Sequence, residues 1–254
     1  GAVPIAITDC LNFGNPERPE IMGQLVYAIE GMNEACRALD YPVVSGNASL
    51  YNETNGAAIP PTPAIGGVGL ISDLDKHKTL KGAKEGSRLV LIGETAGWLG
   101  ASLYAEQILG LNKDGRPAYG PPPVDLDAEK ANGEYVRRLI GNRRVQAVHD
   151  LSDGGLAIAA AEMAFASKLG FALKNPTDLP LYAWLFGEDQ GRYLLAVDEF
   201  SVNPVISTAH SQGVAAIEVG SIGGARISAA GGFDISLKDT HMLYENWLPD
   251  LMNS

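Results

Sequence analysis

The stretch VVSGNASLYNE, Val43 to Glu53, runs from two β-branched residues into Ser-Gly-Asn and then into a polar, acidic tail. The apolar run before it is too short for a helix, so it predicts a buried strand that ends at this point. Gly46 has no Cβ and lets a ligand approach the backbone. The Asn47 carbonyl oxygen suits a hard cation, and the Ser49 hydroxyl suits a phosphate or a substrate oxygen. Alternation sends Asn47 and Ser49 to the same side only if the stretch stays extended. A tight turn accounts for the same residues, and from the residues alone both readings stand.

Upstream, Ala2 to Thr8 predicts a strand closed by Asp9, and LNFGNPERPE predicts a loop. A carboxylate at a strand end can hold Mg²⁺ or order a water; a turn or cap is the plain alternative. From Glu20, the residues Met22, Leu25, Val26, Ile29, Met32, Cys36 and Leu39 recur at three- and four-residue steps, one face of an amphipathic helix. A turn, a Pro-rich bend and a strand from Ala64 to Ile71 follow. The charged, aperiodic run between residues 73 and 82 places a domain boundary, giving domains 1–76 and 77–254.

The second domain predicts strands at 88–94, 144–150, 192–198 and 215–222. It predicts helices at 96–110, 127–140, 151–170, 203–213 and 240–252, with a loop at 118–126. Strands and helices interleave, which gives an α+β or mixed α/β class. VHDLSDGGLA sets Asp150 and Asp153 before Gly154-Gly155 at a helix start, where free N–H groups attract anions. Asp153 as an N-cap explains the same pattern, and a lone His149 is the mark of a structural residue.

A formal charge of −11 over 254 residues excludes a general nucleic-acid or anionic-membrane surface. The two cysteines, Cys10 and Cys36, belong to no CxxC or Cys/His cluster, so buried free thiols in a reducing cytosol are expected. There is no signal peptide and no apolar span of ~20 residues. GxxxxGK[ST], GxSxG, HExxH and strand–GxGxxG–helix motifs are all absent. Gly1 leads directly into a strand, as if the chain were cut from something longer.

PIAITDCLNFGNPERPEIMGQL, GMNEACRALDYPVVSGNASLYNET, PPTPAIGGVGLI and VHDLSDGGLAIAAAEMA resemble one family, the synthetase subunit of phosphoribosylformylglycinamidine synthase. The resemblance runs from Gly1 to about Arg192 and weakens after it. It implies an aminoimidazole ribonucleotide synthetase-like fold: a partial, barrel-forming second A domain at 1–76, then an α+β B domain at 77–254. It implies an ATP-dependent ligase of purine biosynthesis that converts formylglycinamide ribonucleotide, with ammonia from a glutaminase, to the amidine.

Matched residue by residue, Asp9 and Gly46 correspond to ATP-binding positions, Asn47 to a Mg²⁺ ligand and Ser49 to a substrate contact. Partners implied are the N-terminal half of the same protein, a glutaminase subunit and a small accessory subunit, with no nucleic acid and no membrane. The family's catalytic histidines belong to that first half, so no catalytic residue is assigned here, and His77, His149, His210 and His241 are not general bases. FGEDQGR, Phe186 to Arg192, corresponds loosely to a substrate-binding run of the first half. Two alternatives stand beside this reading: a non-catalytic nucleotide-binding scaffold, and a stand-alone synthetase of the aminoimidazole ribonucleotide or selenophosphate type.

Overall fold

The computed structural model describes residues 1–111 and 120–253; of the expected 118–126 loop, residues 118 and 119 lie outside them. The chain divides into two compact units, Ala2–Asp75 and Lys76 onward, with Gly1 grouped with the latter.

In the smaller unit, β1 (Val3–Asn12) is the middle strand of three. It pairs in parallel with β2 (Val43–Ser49) and antiparallel with β5 (Thr62–Leu70). A parallel pair needs a crossover, and α1 (Pro19–Ala38) supplies it, starting on a proline whose missing N–H costs a first turn nothing. Ile21, Leu25, Ala28 and Met32 pack over Leu11 and Phe13. The expected apolar face is therefore rotated: Met22, Val26 and Ile29 are exposed, because the helix carries more apolar surface than three strands can cover. Asn55-Gly56, both at positive φ, turn the small hairpin of β3 (Glu53–Thr54) and β4 (Ala57–Ala58).

Two expectations are corrected here. β1 continues three residues past Asp9, so that carboxylate lies within a strand rather than at its end. β2 extends through Ser49 and is not buried; Val44 is 67% exposed.

The larger unit is built on seven strands: β6 (Arg88–Ile92), β7 (Ala147–Asp150), β8 (Phe171–Leu173), β9 (Tyr193–Val197), β10 (Ala216–Ile222), β11 (Arg226–Ala229) and β12 (Phe233–Ser236). Their order is β12-β11-β8-β10-β6-β9-β7, and only β11–β8 is parallel. Leu89, Leu91, Leu194 and Ala196 enter one core with α3 (Gly155–Ser167), α4 (Leu181–Phe186) and α6 (Leu237–Met252). Val90, Ile92, Leu195 and Val197 enter a second core with α2 (Leu126–Gly141) and α5 (Val202–Ser211). Burial on both faces explains why β6 and β9 are continuous apolar runs without alternation.

The helix expected over 96–110 forms only a single wide turn at Tyr104–Ile108. Gly97 and Ala101 both take positive φ, which breaks the helix before it starts. The expected cap Asp153 is also corrected: Gly154, at φ +79, precedes the first turn of α3 and offers no side chain.

Candidate functional site

The β1–β2 register sets Asp9 beside Gly46, Cys10 beside Asn47 and Asn12 beside Ser49. The strand pairing, not the chain order, brings the four marked positions together. A Cβ on Gly46 would fall 1.7 Å from the Asp9 Oδ1 and 2.8 Å from the Asp9 carbonyl oxygen. The Asp9 carboxylate thus lies over Gly46, and any larger residue there would displace it. The stretch is extended, so Asn47 and Ser49 share a face, and it is the face opposite Gly46 and the Asp9 carboxylate.

On its own face the Asp9 carboxylate borders an apolar groove of about 520 Å³ between β1 and α1, walled by Leu11, Ile29, Met32, Cys36 and Pro42. Cys10 and Cys36 are free and half-buried. On the other face Asn47 is exposed. The Ser49 hydroxyl accepts from Asn52 Nδ2 at 3.1 Å, while the same amide donates to the Ser49 and Phe13 carbonyls. Asn52 thereby ties the end of β2 to the loop after β1. Tyr51, at φ +61, donates its N–H to Gly14, and Arg18 reaches Glu53 at 3.3 Å. Asn52 went unmarked in the sequence; its only signal was an amide three residues beyond a hydroxyl that could need orienting. Among the described residues no cluster of three or more His, Cys, Asp or Glu side chains could hold a metal, so Asn47 offers one donor and not a site.

The second marked place, in the larger unit, is organised by charge at the end of β7. His149, at the end of β7, lies 2.7 Å from Glu162 of α3 through Nε2. Its Nδ1 is 3.4 Å from Asp150 Oδ1 but lacks hydrogen-bond geometry, so that contribution is electrostatic. Burial disfavours the imidazolium, yet the pull of Asp150 and Glu162 outweighs it and raises the His149 pKa. His149 holds Asp150 below the usual carboxylate range. Burial, with Glu129 and Asp150 adding negative charge, pushes Tyr193 up to about 12.

In FGEDQGR both carboxylates are occupied by backbone. Glu188 accepts from the N–H groups of Leu103 and Gly154, and Asp189 from those of Gly97 and Trp98. Arg192, its side chain 0% exposed, lies 3.7 Å from Asp189 and donates to the Gly187 carbonyl at 2.6 Å. Here the run knits the 97–103 and 150–155 loops to β9.

Residues 84–231 match the family model described as AIR synthase related protein, C-terminal domain, and residues 1–71 match its N-terminal domain. The chain belongs to the AIR synthase related family. Among curated members, the phosphoribosylformylglycinamidine synthase subunit PurL of Parvibaculum lavamentivorans is 53% identical over 252 residues, 99% of this chain and 34% of the relative. That of Caulobacter vibrioides is 53% identical over 254 residues, 100% of this chain and 33% of the relative. The chain thus spans about a third of the length of the curated relatives it matches, and the Caulobacter alignment extends past Arg192 over the whole of this chain.

Solved structures share the same α+β architecture. Thermotoga maritima PurL complexed with FGAR matches with a TM-score of 0.71 at 20% identity, covering 93% of this chain and 39% of that one. Escherichia coli HypE matches with a TM-score of 0.69 at 19% identity, covering 93% of this chain and 73% of that one.

Proposed function

We propose that the chain is the C-terminal portion of a phosphoribosylformylglycinamidine synthase, contributing one wall of an ATP- and Mg²⁺-dependent ligase site that is incomplete without the rest of that protein. The observation that carries this reading is identity above 50% to PurL subunits along essentially the whole chain. The strand register supports it by placing Asp9 against Gly46 and Asn47 one residue further on.

The residues fit the two absent groups as contributors. Gly46 keeps the β2 backbone open, and the Asp9 carboxylate beside it can accept from an amino or hydroxyl group of a nucleotide. The exposed Asn47 amide oxygen is a hard donor for Mg²⁺, whose remaining ligands must come from phosphate, water and other protein segments. Ser49, oriented by Asn52, can hydrogen-bond the ribonucleotide. Because the Asp9 carboxylate and the Asn47 amide occupy opposite faces, they would meet different parts of the bound ligands. When bound, Mg-ATP supplies the phosphoryl group that activates the amide oxygen of formylglycinamide ribonucleotide for displacement by ammonia. No group on this chain is placed as acid, base or nucleophile. A cytoplasmic location and partnership with a glutaminase and a small accessory subunit belong to the same proposal. Among the described residues no helix is long and apolar enough to cross a membrane.

The test is reconstitution. The chain alone, given ATP, substrate and ammonia, is expected to form no amidine, and co-expression with the N-terminal portion of a PurL is expected to restore it. Asn47→Ala in the reconstituted enzyme should abolish turnover. Turnover by the chain alone would contradict the reading; Mg-ATP binding with no turnover after reconstitution would favour the scaffold alternative.

A further inference from the structure

Two runs of the larger unit are basic throughout: KHKTLKGAK, Lys76 to Lys84, and RRLIGNRR, Arg137 to Arg144. Neither contains an Asp or a Glu. Together they hold eight of the chain's 19 Lys and Arg residues and leave 11 to face all 30 acids. The fold brings the two runs side by side. The Thr79 carbonyl accepts from the Val148 N–H at 3.2 Å, and a Cβ on Gly82 would fall 2.6 Å from the Gln146 carbonyl oxygen. The first run therefore lies along β7, at the edge of its sheet, and along the chain that enters β7 from α2. Arg144 belongs to that chain, its N–H donating to the Leu139 carbonyl at 2.9 Å.

Lys81, Lys84, Arg143 and Arg144 are exposed, and among the described residues none of their side chains makes an ion pair. The neighbouring acids are otherwise engaged: Glu85 accepts from the Gly224 N–H at 3.1 Å, and Glu134 lies 3.8 Å from Arg138. Each run has a plain structural use. Cations suit a helix C-terminus, and lysines beside a sheet edge oppose unwanted pairing. Neither use requires that the two runs converge. The surface is also short, since the six residues from Thr79 to Lys84 span at most ~20 Å. A nucleic-acid duplex or a bilayer would extend past it onto the acidic remainder of the chain, well beyond a Debye length of about 8 Å. Neither run carries Phe, Tyr or Trp, on which unpaired bases would stack. A short string of carboxylates fits both the extent and the charge, and arginines bind carboxylates in pairs of parallel hydrogen bonds.

We propose that these two runs form one docking surface for a short acidic segment of another polypeptide. The inference goes beyond the ligase reading and does not rest on it. The test uses the whole chain and two fluorescent twelve-residue peptides of Gly and Ser, one carrying six Glu and the other six Lys. Anisotropy at low salt is expected to show the Glu peptide binding at least ten-fold more tightly than the Lys peptide. The paired substitutions Arg143→Glu with Arg144→Glu, in one run, and Lys81→Glu with Lys84→Glu, in the other, should each weaken it at least ten-fold with an unchanged circular-dichroism spectrum. Lys174→Glu with Lys238→Glu changes the net charge equally at exposed sites elsewhere, and should weaken it less than two-fold. No binding of the Glu peptide, or an equal loss from all three pairs, overturns the proposal. So does a loss confined to one run, since the surface would then not be shared. Tighter binding of a twelve-nucleotide oligouridylate or of phosphatidylserine vesicles than of the Glu peptide also overturns it, in favour of a nucleic acid or a membrane.

Discussion

The seven-stranded sheet carries helices on both faces, and β6 and β9 bury alternate residues into each. The three-stranded sheet carries one helix on one face, and all nine residues of β5 stay exposed. The larger unit closes its own core, with Trp184, Leu194 and Leu195 shut off from water. The smaller unit has a small core cluster of Leu11, Phe13 and Ile21, with partly buried residues packed on it, and two edge strands with open ladders. A sheet built this way is stable when other strands or another sheet complete it. The nucleotide- and metal-marked residues lie on this incomplete sheet, which is where a composite site would need them.

The largest expected effect tests that contrast directly. Residues 76–254 expressed alone should give a dispersed NMR spectrum and a cooperative urea transition, while residues 2–75 alone should give neither. A folded, cooperative 2–75 would break the comparison. Next, Arg192→Ala should lower the stability of the larger unit by about 3–5 kcal/mol in urea titration, because it leaves buried carboxylate and carbonyl groups without their cation. Arg192→Lys should not restore it, since an ammonium lacks the planar fork.

Gly46→Ala should cost the smaller unit about 1–3 kcal/mol through the clash with Asp9, and Asp9→Ala in the same chain should recover part of that. Equal loss with and without Asp9 would mean that the carbonyl contact dominates. The smallest effect concerns His149. Its pKa is raised by Glu162 and Asp150, so its stabilising contribution is complete below the ordinary histidine value and is lost as pH climbs through the raised one. Glu162→Gln should cost about 1.5 kcal/mol at pH 5.5 and less at pH 8.5, the low end of the range because Glu162 is 31% exposed. An NMR titration of the His149 ring should show its pKa fall in the variant.

Periodicity made α1 legible as a helix, and continuous apolar runs made β6 and β9 legible as strands, because both faces of those strands meet a core. It misplaced the inward face of α1, since a sequence shows which residues are apolar and not how many strands exist to cover them. The wide turn at Tyr104–Ile108 was hidden because Ala101 adopts a left-handed conformation that its side chain disfavours, held there by the surrounding fold. Of the marked residues, Asp9 and Gly46 were expected near one another, but their contact depends on a register that only the pairing of β1 and β2 sets. Asn52 and the carboxylates of FGEDQGR could not be sorted in advance, because an oxygen bound to backbone N–H groups and one awaiting a ligand are the same letter.

β1 lies in the middle of its sheet but is made before either neighbour. Fifty residues separate its last residue, Asn12, from the start of β5 at Thr62. At about 5–20 residues per second, a ribosome takes roughly 3–10 s to deliver that partner. Until β2 and then β5 emerge, the VPIAITDCLN strand lacks the two neighbours it pairs with in the folded sheet, which makes it the natural place for a nascent-chain chaperone to hold.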